Sequence, residues 1–176
     1  MDLTPHHTSR LTLRPFLERD TDALYAIQSD QQAMRHTYTT TSLQQCAHRL
    51  KTFEDLRFSH GFAPWVVCDR SEADVIGWGG LNIDPFDSGW GVEVSYFFDP
   101  AHWGRGFATE LVSYSLRHAF VDLDLSQVTA FARPENTGSI RVLEKCGFKP
   151  LGYEARIGRN HYRIRQSEFR PTKSAM

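Results

Sequence analysis

Two stretches of the sequence carry residue types that could do chemistry. The octapeptide WGRGFATE, Trp103 to Glu110, sets Gly104 and Gly106 around Arg105 just before a helix-like stretch. Glycine lacks a Cβ, so its backbone can come close to a ligand. The free N–H groups and positive dipole end of a following helix suit an anion. Just upstream, the strand-like run WGVEVSYFF (90–98) carries one carboxylate, Glu93, in apolar company. Such a residue either faces solvent on a half-exposed strand or is held where its proton can be moved. Further on, PENTGSIRVLEKCGF (134–148) places an asparagine at the end of a strand and then a short helix.

Three phosphate sites compete for the glycine turn. A P-loop requires GxxxxGK[ST], and that lysine is missing. The dinucleotide fingerprint fits Gly104 and Gly106 but meets Thr109 at its third position, and it belongs to a parallel βαβ unit. A cradle for the pyrophosphate of coenzyme A remains, beside the plainer reading of a turn that simply starts a helix.

The elements that must position these residues follow from periodicity. LTLRPF (11–16) alternates as a strand, and ALYAIQ follows as a short helix with Asp20 or Thr21 as its cap. Thr41 or Ser42 caps a second helix through Leu43, Ala47, Leu50, Phe53 and Leu56. Three strands follow, 62–69, 73–83 and 90–98. Their connections are too short for parallel crossovers, so they form an antiparallel meander. Along the third, Val92, Val94, Tyr96 and Phe98 share one face, and Glu93, Ser95 and Phe97 the other. A helix with an apolar stripe spans 105–120, a strand 126–132 and a helix 139–146, which Gly147 and Phe148 close. Two last strands lie near 148–157 and 160–166. The pattern is α+β, a mixed sheet with helices on both sides.

Composition excludes several classes of function. The 176 residues are read as one domain, with 1–8 and 170–176 as frayed termini. A net charge of −1 gives no overall field for nucleic acid or an anionic membrane, so an anionic ligand must be held locally. No apolar run approaches the ~20 residues of a membrane span, and the N-terminus has no secretory h-region. Three scattered cysteines fit a reducing, cytoplasmic setting. Eight histidines form no HExxH motif or close cluster, so no metal is expected. Trp65, Trp78 and Trp90 are read as packing residues, and the basic stretch RIGRNHYRIR (156–165) as a solvated strand face.

Taken together, the chain resembles the GNAT (Gcn5-related) N-acetyltransferases, especially the ribosomal-protein (RimJ/RimL-like) branch. TSRLTLRPFLERDTDALYAI is similar to that branch's opening, VIGWGGLNI to its third strand, VEVSYFFDPAHWGRGFATELV to its central motif and NTGSIRVLEKCGF to its late motif. The resemblance implies a GNAT-like acyl-CoA N-acyltransferase fold, a mostly antiparallel twisted sheet of about seven strands splayed in the middle. It implies acetyl-CoA as cosubstrate, held by the turn Trp103, Gly104, Arg105, Gly106, Phe107, Ala108 and Thr109. Phe97 and Phe98 would offer exposed backbone to the pantetheine arm, and Asn136 would reach the same arm or cap its helix. Trp103 departs from the family's Gln or Arg, though its amide can still serve. Arg105 adds charge or is merely solvated.

The implied reaction is direct attack of a primary amine on the thioester in a ternary complex. Amines with pKa values of about 8 to 10 are mostly charged at neutral pH, so a base is useful. The resemblance gives that role to Glu93; Ser95, on the same face, lines the acceptor site, orders a water or is inert. The tyrosine many relatives carry in the late helix is replaced by Leu143, and Ser139 becomes the candidate proton donor. The acceptor is a protein N-terminus or a small-molecule amine, in a pocket built by the first two helices and the 84–90 loop. No nucleic acid or membrane is involved, and the chain is expected as a monomer or homodimer. The alternative is a non-catalytic acyl-CoA-binding or sensor module, suggested by the missing tyrosine.

Overall fold

A computed structural model describes residues 4–71 and 73–170. Eight strands form one sheet: β1 (His6–His7), β2 (Leu11–Arg14), β3 (Trp65–Asp69), β4 (Val75–Asn82), β5 (Glu93–Phe98), β6 (Gln127–Ala132), β7 (Lys149–Glu154) and β8 (Arg159–Arg165). The spatial order is β1-β2-β3-β4-β5-β6-β8-β7. The eighth strand comes from a segment read above as frayed: His6 and His7 pair with Leu13 and Thr12. Met1 to Leu3 and residues 171–176 lie outside the described residues.

The meander β2 to β5 is antiparallel throughout, as its short connections require. Between β5 and β6 the sheet changes character. These strands run parallel and register at a single pair, Glu93 opposite Thr129. Thr129 donates its N–H to the Val92 carbonyl at 2.9 Å, and its hydroxyl donates to the same oxygen at 3.1 Å. Beyond that pair the strands diverge. The splay expected in the middle of the sheet lies here.

Four helices cover the two faces. Helices α1 (Thr21–Gln28) and α2 (Leu43–His60) pack Leu24, Ile27, Leu50 and Phe53 against Val66, Trp78 and Phe97. Ser42 caps α2, accepting from the Gln45 N–H at 3.1 Å. Asp20 stands at the start of α1 without capping it. Its buried carboxylate instead accepts from both Arg14 guanidinium nitrogens, at 2.6 and 2.7 Å, and from the Leu17 N–H. A buried carboxylate is satisfied far better by a fork of cationic donors than by one helix amide. Helices α3 (Phe107–Arg117) and α4 (Thr137–Lys145) cover the other face. Phe107 and Leu111 join Leu11, Leu13 and Trp65 there, while Val112 and Leu143 join Val94, Val128 and Tyr162. Trp65 and Trp78 are core residues. Trp90 packs edge-on against Phe131 and His161.

Candidate active site

The divergence of β5 from β6 opens a cleft of about 460 Å³ between β5, the start of α3, the first turns of α4 and the segment joining α1 to α2. Glu93 lies at one end of this cleft and the glycine turn at the other.

The turn is built for close approach. Gly104 and Gly106 have φ values of 74° and 84°, left-handed conformations in which a side chain would be strained. A Cβ on Gly104 would project into open space. Gly106 caps α3 without a side chain, so the Phe107, Ala108 and Thr109 amides have no acceptor within the helix. The link between β1 and β2 pins the turn in place. Arg10 donates to the Arg105 carbonyl at 2.7 Å, and Glu110 accepts from Arg10 Nε at 2.8 Å and from Thr8 Oγ1 at 2.6 Å. These amides, the open space above Gly104 and the dipole of α3 fit a diphosphate.

Arg105 itself stands apart. Its guanidinium lies over the Phe107 ring and 3.7 Å from Asp69, and it does not line the cleft. The cations that do line it are Arg35, Arg141, Lys145 and Arg159. Arg35 stacks on the Trp103 ring at 5.4 Å, so the α1–α2 segment bends over the mouth of the cleft.

The register separates Phe97 from Phe98. Gly77 and Phe98 are directly opposed, and the Asp99 N–H donates to the Ile76 carbonyl at 2.9 Å. Phe98 is therefore in a non-hydrogen-bonded pair and turns its own N–H and C=O toward the cleft, as Tyr96 does. Phe97 turns its amide groups toward β4 and stacks its ring on Trp78. Exposed backbone thus comes from Tyr96 and Phe98, not from Phe97. The Phe98 carbonyl already accepts from Trp103 Nε1 at 2.9 Å. Trp103→Phe, which keeps the ring and removes this donor, is expected to lower stability by about 1 kcal/mol, read as a fall in Tm.

Glu93 and Ser95 both face the cleft from the α1/α2 side. Burial pushes the Glu93 carboxyl up to about 7. Asp84 and Asp87 push it the same way, and Arg159 opposes them. Arg159 is half-buried, and burial also lowers its pKa. It belongs to the basic stretch read as a solvated strand face, so at this position that reading is corrected. Of the predicted acceptor pocket, the segment 33–37 between the first two helices does line the cleft. The 84–90 loop acts on Glu93 through its charges instead.

On the opposite wall, Asn136 caps α4, accepting from the Ser139 N–H at 3.1 Å, and also borders the cleft. Ser139 Oγ lies 3.0 Å from the Tyr96 hydroxyl. Burial raises Tyr96 to about 12, which keeps that phenol protonated. Sequence reasoning missed Tyr96. Its parity puts it on the face opposite Glu93, which is the face α4 covers, and the seat of α4 there brings Ser139 to its hydroxyl. Leu143 is buried in the core, 1 % exposed.

A sheet parted between parallel strands, with an open glycine turn at one end and a desolvated carboxylate at the other, has the layout that a coenzyme-A-dependent acyltransferase needs. Residues 10–149 match the family model for the acetyltransferase (GNAT) domain. The uncharacterized N-acetyltransferase p20 of Bacillus licheniformis is 31% identical over 159 residues, covering 87% of this chain and 89% of that one. Among solved structures, ribosomal-protein-S5-alanine acetyltransferase from Vibrio fischeri superposes with a TM-score of 0.76 at 17% identity, covering 96% and 100% of the two chains. Spermidine N-acetyltransferase from Vibrio cholerae, in complex with CoA and spermine, superposes at 0.71 with 22% identity, covering 92% and 98%. The chain belongs to the GNAT acetyltransferases, which use acetyl-CoA, and it is an N-acetyltransferase.

Proposed function

We propose that the protein acetylates a primary amine, a protein N-terminus or a small-molecule amine, by direct attack on acetyl-CoA in a ternary complex. The observation that carries this reading is the placing of Glu93 and Ser139 on opposite walls of one cleft whose far end is the glycine turn. Bound acetyl-CoA supplies an acetyl group activated as a thioester. The Phe107, Ala108 and Thr109 amides hold the diphosphate. The Phe98 and Tyr96 amide groups face the arm, and Asn136 borders it.

Glu93 takes the proton that the amine loses, since its raised pKa makes it a competent base near neutral pH. At the departing sulfur, the Ser139 hydroxyl donates while Tyr96 orients it. The donor that position 143 lacks is thus Ser139 of the same helix, held by a hydroxyl from β5. The branch suggested is the RimJ/RimL-like one, supported by the resemblance of the sequence motifs and by the ribosomal-protein neighbour of the same fold. No observation favours a non-catalytic sensor, since a desolvated base and a hydroxyl pair have no use in one.

The test is release of free thiol from acetyl-CoA across a panel of N-terminal peptides, polyamines and amino acids. Transfer to at least one amine is expected, and none with any amine sinks the reading. Ser139→Ala and Tyr96→Phe are each expected to lower kcat about tenfold while leaving KM for acetyl-CoA unchanged. The loss stays modest because a thiolate of pKa about 8.5 leaves without much acid help.

A further inference from the structure

Asn82, the last residue of β4, stands directly opposite Glu93 in the ladder, so their side chains share the α1/α2 face about 5 Å apart at Cβ. It is 1 % exposed. Its Nδ2 donates to Ser95 Oγ at 2.8 Å, and its buried Oδ1 meets no partner in the protein. Buried polar atoms are nearly always paired, so an orphaned carbonyl oxygen beside a functional carboxylate marks the place of a small donor. Asn82 does not line the cleft, whereas Ser95 and Glu93 do. The donor must therefore be small enough to sit between them. A serine oxygen that accepts from Asn82 must aim its own hydrogen elsewhere. Asn82 Oδ1, the Ser95 hydroxyl and a Glu93 oxygen supply the two to four polar partners that a buried water needs.

We propose that Asn82 and Ser95 hold a water beside Glu93, and that this water carries the acceptor's proton to the Glu93 carboxylate. Asn82 is then a positioning residue. The idea rests on the reading of Glu93 as the base. The amine lone pair forms the C–N bond, and the C–S bond breaks with its electron pair left on sulfur. The nitrogen's proton passes to the water, which gives one of its own to Glu93. Sulfur is protonated from Ser139, and Ser139 and Glu93 return to their starting states by exchange with solvent. The charged groups facing Glu93 are Asp84 and Asp87, from the loop after β4, and Arg159 of β8.

The experiment compares wild type, Ser95→Ala, Ser95→Thr, Asn82→Ala and the double Ala variant, using an amine that wild type accepts. Each single Ala variant is expected to lose about tenfold in kcat, with KM for acetyl-CoA unchanged and the acidic limb of the pH profile displaced. The double variant should be no worse than the poorer single one, because the two act as a unit. Ser95→Thr should restore most of the rate. Losses that multiply in the double variant, or that fall on KM alone, overturn the proposal. Should Asn82→Ala fail to fold, seen as no CoA-induced rise in Tm, the Ser95 pair decides: an unchanged Ser95→Ala rate overturns the proposal. Wild type turning over no amine, or Glu93→Gln at full rate, overturns the base itself. An enzyme sensitive to Glu93→Gln but indifferent at Ser95 and Asn82 overturns this inference alone.

Discussion

Glu93→Gln is expected to lower kcat/KM about a hundredfold at pH 7.5 and to abolish the acidic limb of the pH profile. The carboxyl is desolvated at the head of the cleft and titrates at about 7, above its ordinary 4.5. Only the ionised form takes a proton, so the wild-type rate should rise with pH through about 7 and then level off. Glutamine matches the shape of the protonated side chain, yet it accepts no proton at any pH. An unchanged rate with an unchanged profile would remove Glu93 from the mechanism.

The same substitution should change stability in the opposite direction. A carboxyl whose pKa is higher folded than unfolded favours the fold below pH 4.5, where it is protonated in both states, and penalises it above 7. Glu93→Gln should therefore raise the unfolding free energy at pH 8 by on the order of 1 to 2 kcal/mol, discounted for partial exposure. At pH 4 it should leave that energy nearly unchanged. Melting curves at the two pH values check this directly. A catalytic carboxylate held at a cost to the fold is the expected signature of a functional site, and a solvent-facing glutamate on an outer strand would show neither effect.

Local rules made most of the framework legible. Short connections forced the antiparallel meander, and parity along β5 placed Glu93, Ser95 and Phe97 together on one face, where the structure has them. Parity does not say where a backbone amide points, because that depends on the register with β4. The resemblance groups Phe97 with Phe98, whereas the register turns the amide groups of Tyr96 and Phe98 to the cleft and those of Phe97 to β4. The pairing of Tyr96 with Ser139 depends on where α4 packs over that face, a tertiary fact that no local pattern encodes. Arg159 illustrates the same limit. A charged residue in a polar stretch reads as solvated until the fold closes over it. The N-terminal strand was missed for a related reason, since two residues carry too little periodicity to announce a strand.

Adding a negative charge at the glycine turn should weaken coenzyme A binding about a hundredfold or more, and Gly104 is the position that separates charge from strain. At its φ of 74°, Asn and Asp are tolerated better than other side chains, so both variants should fold with a cost of about 1 kcal/mol. A Cβ there meets nothing within 4 Å, so either side chain has room at a residue that lines the cleft. Asn adds bulk alone, and about a tenfold weaker Kd for CoA is expected from lost approach of the backbone. Asp adds a carboxylate beside a diphosphate, and repulsion through a partly screened medium should raise the loss to a hundredfold or more. Calorimetric titration of both variants with CoA measures the gap between them. A gap that shrinks as salt rises marks the turn as an anion site, because exposed charges are screened within about 10 Å at 0.1 M salt. Equal affinities for the Asn and Asp variants would place the diphosphate elsewhere, and the amides of Phe107, Ala108 and Thr109 would then be no more than the start of a helix.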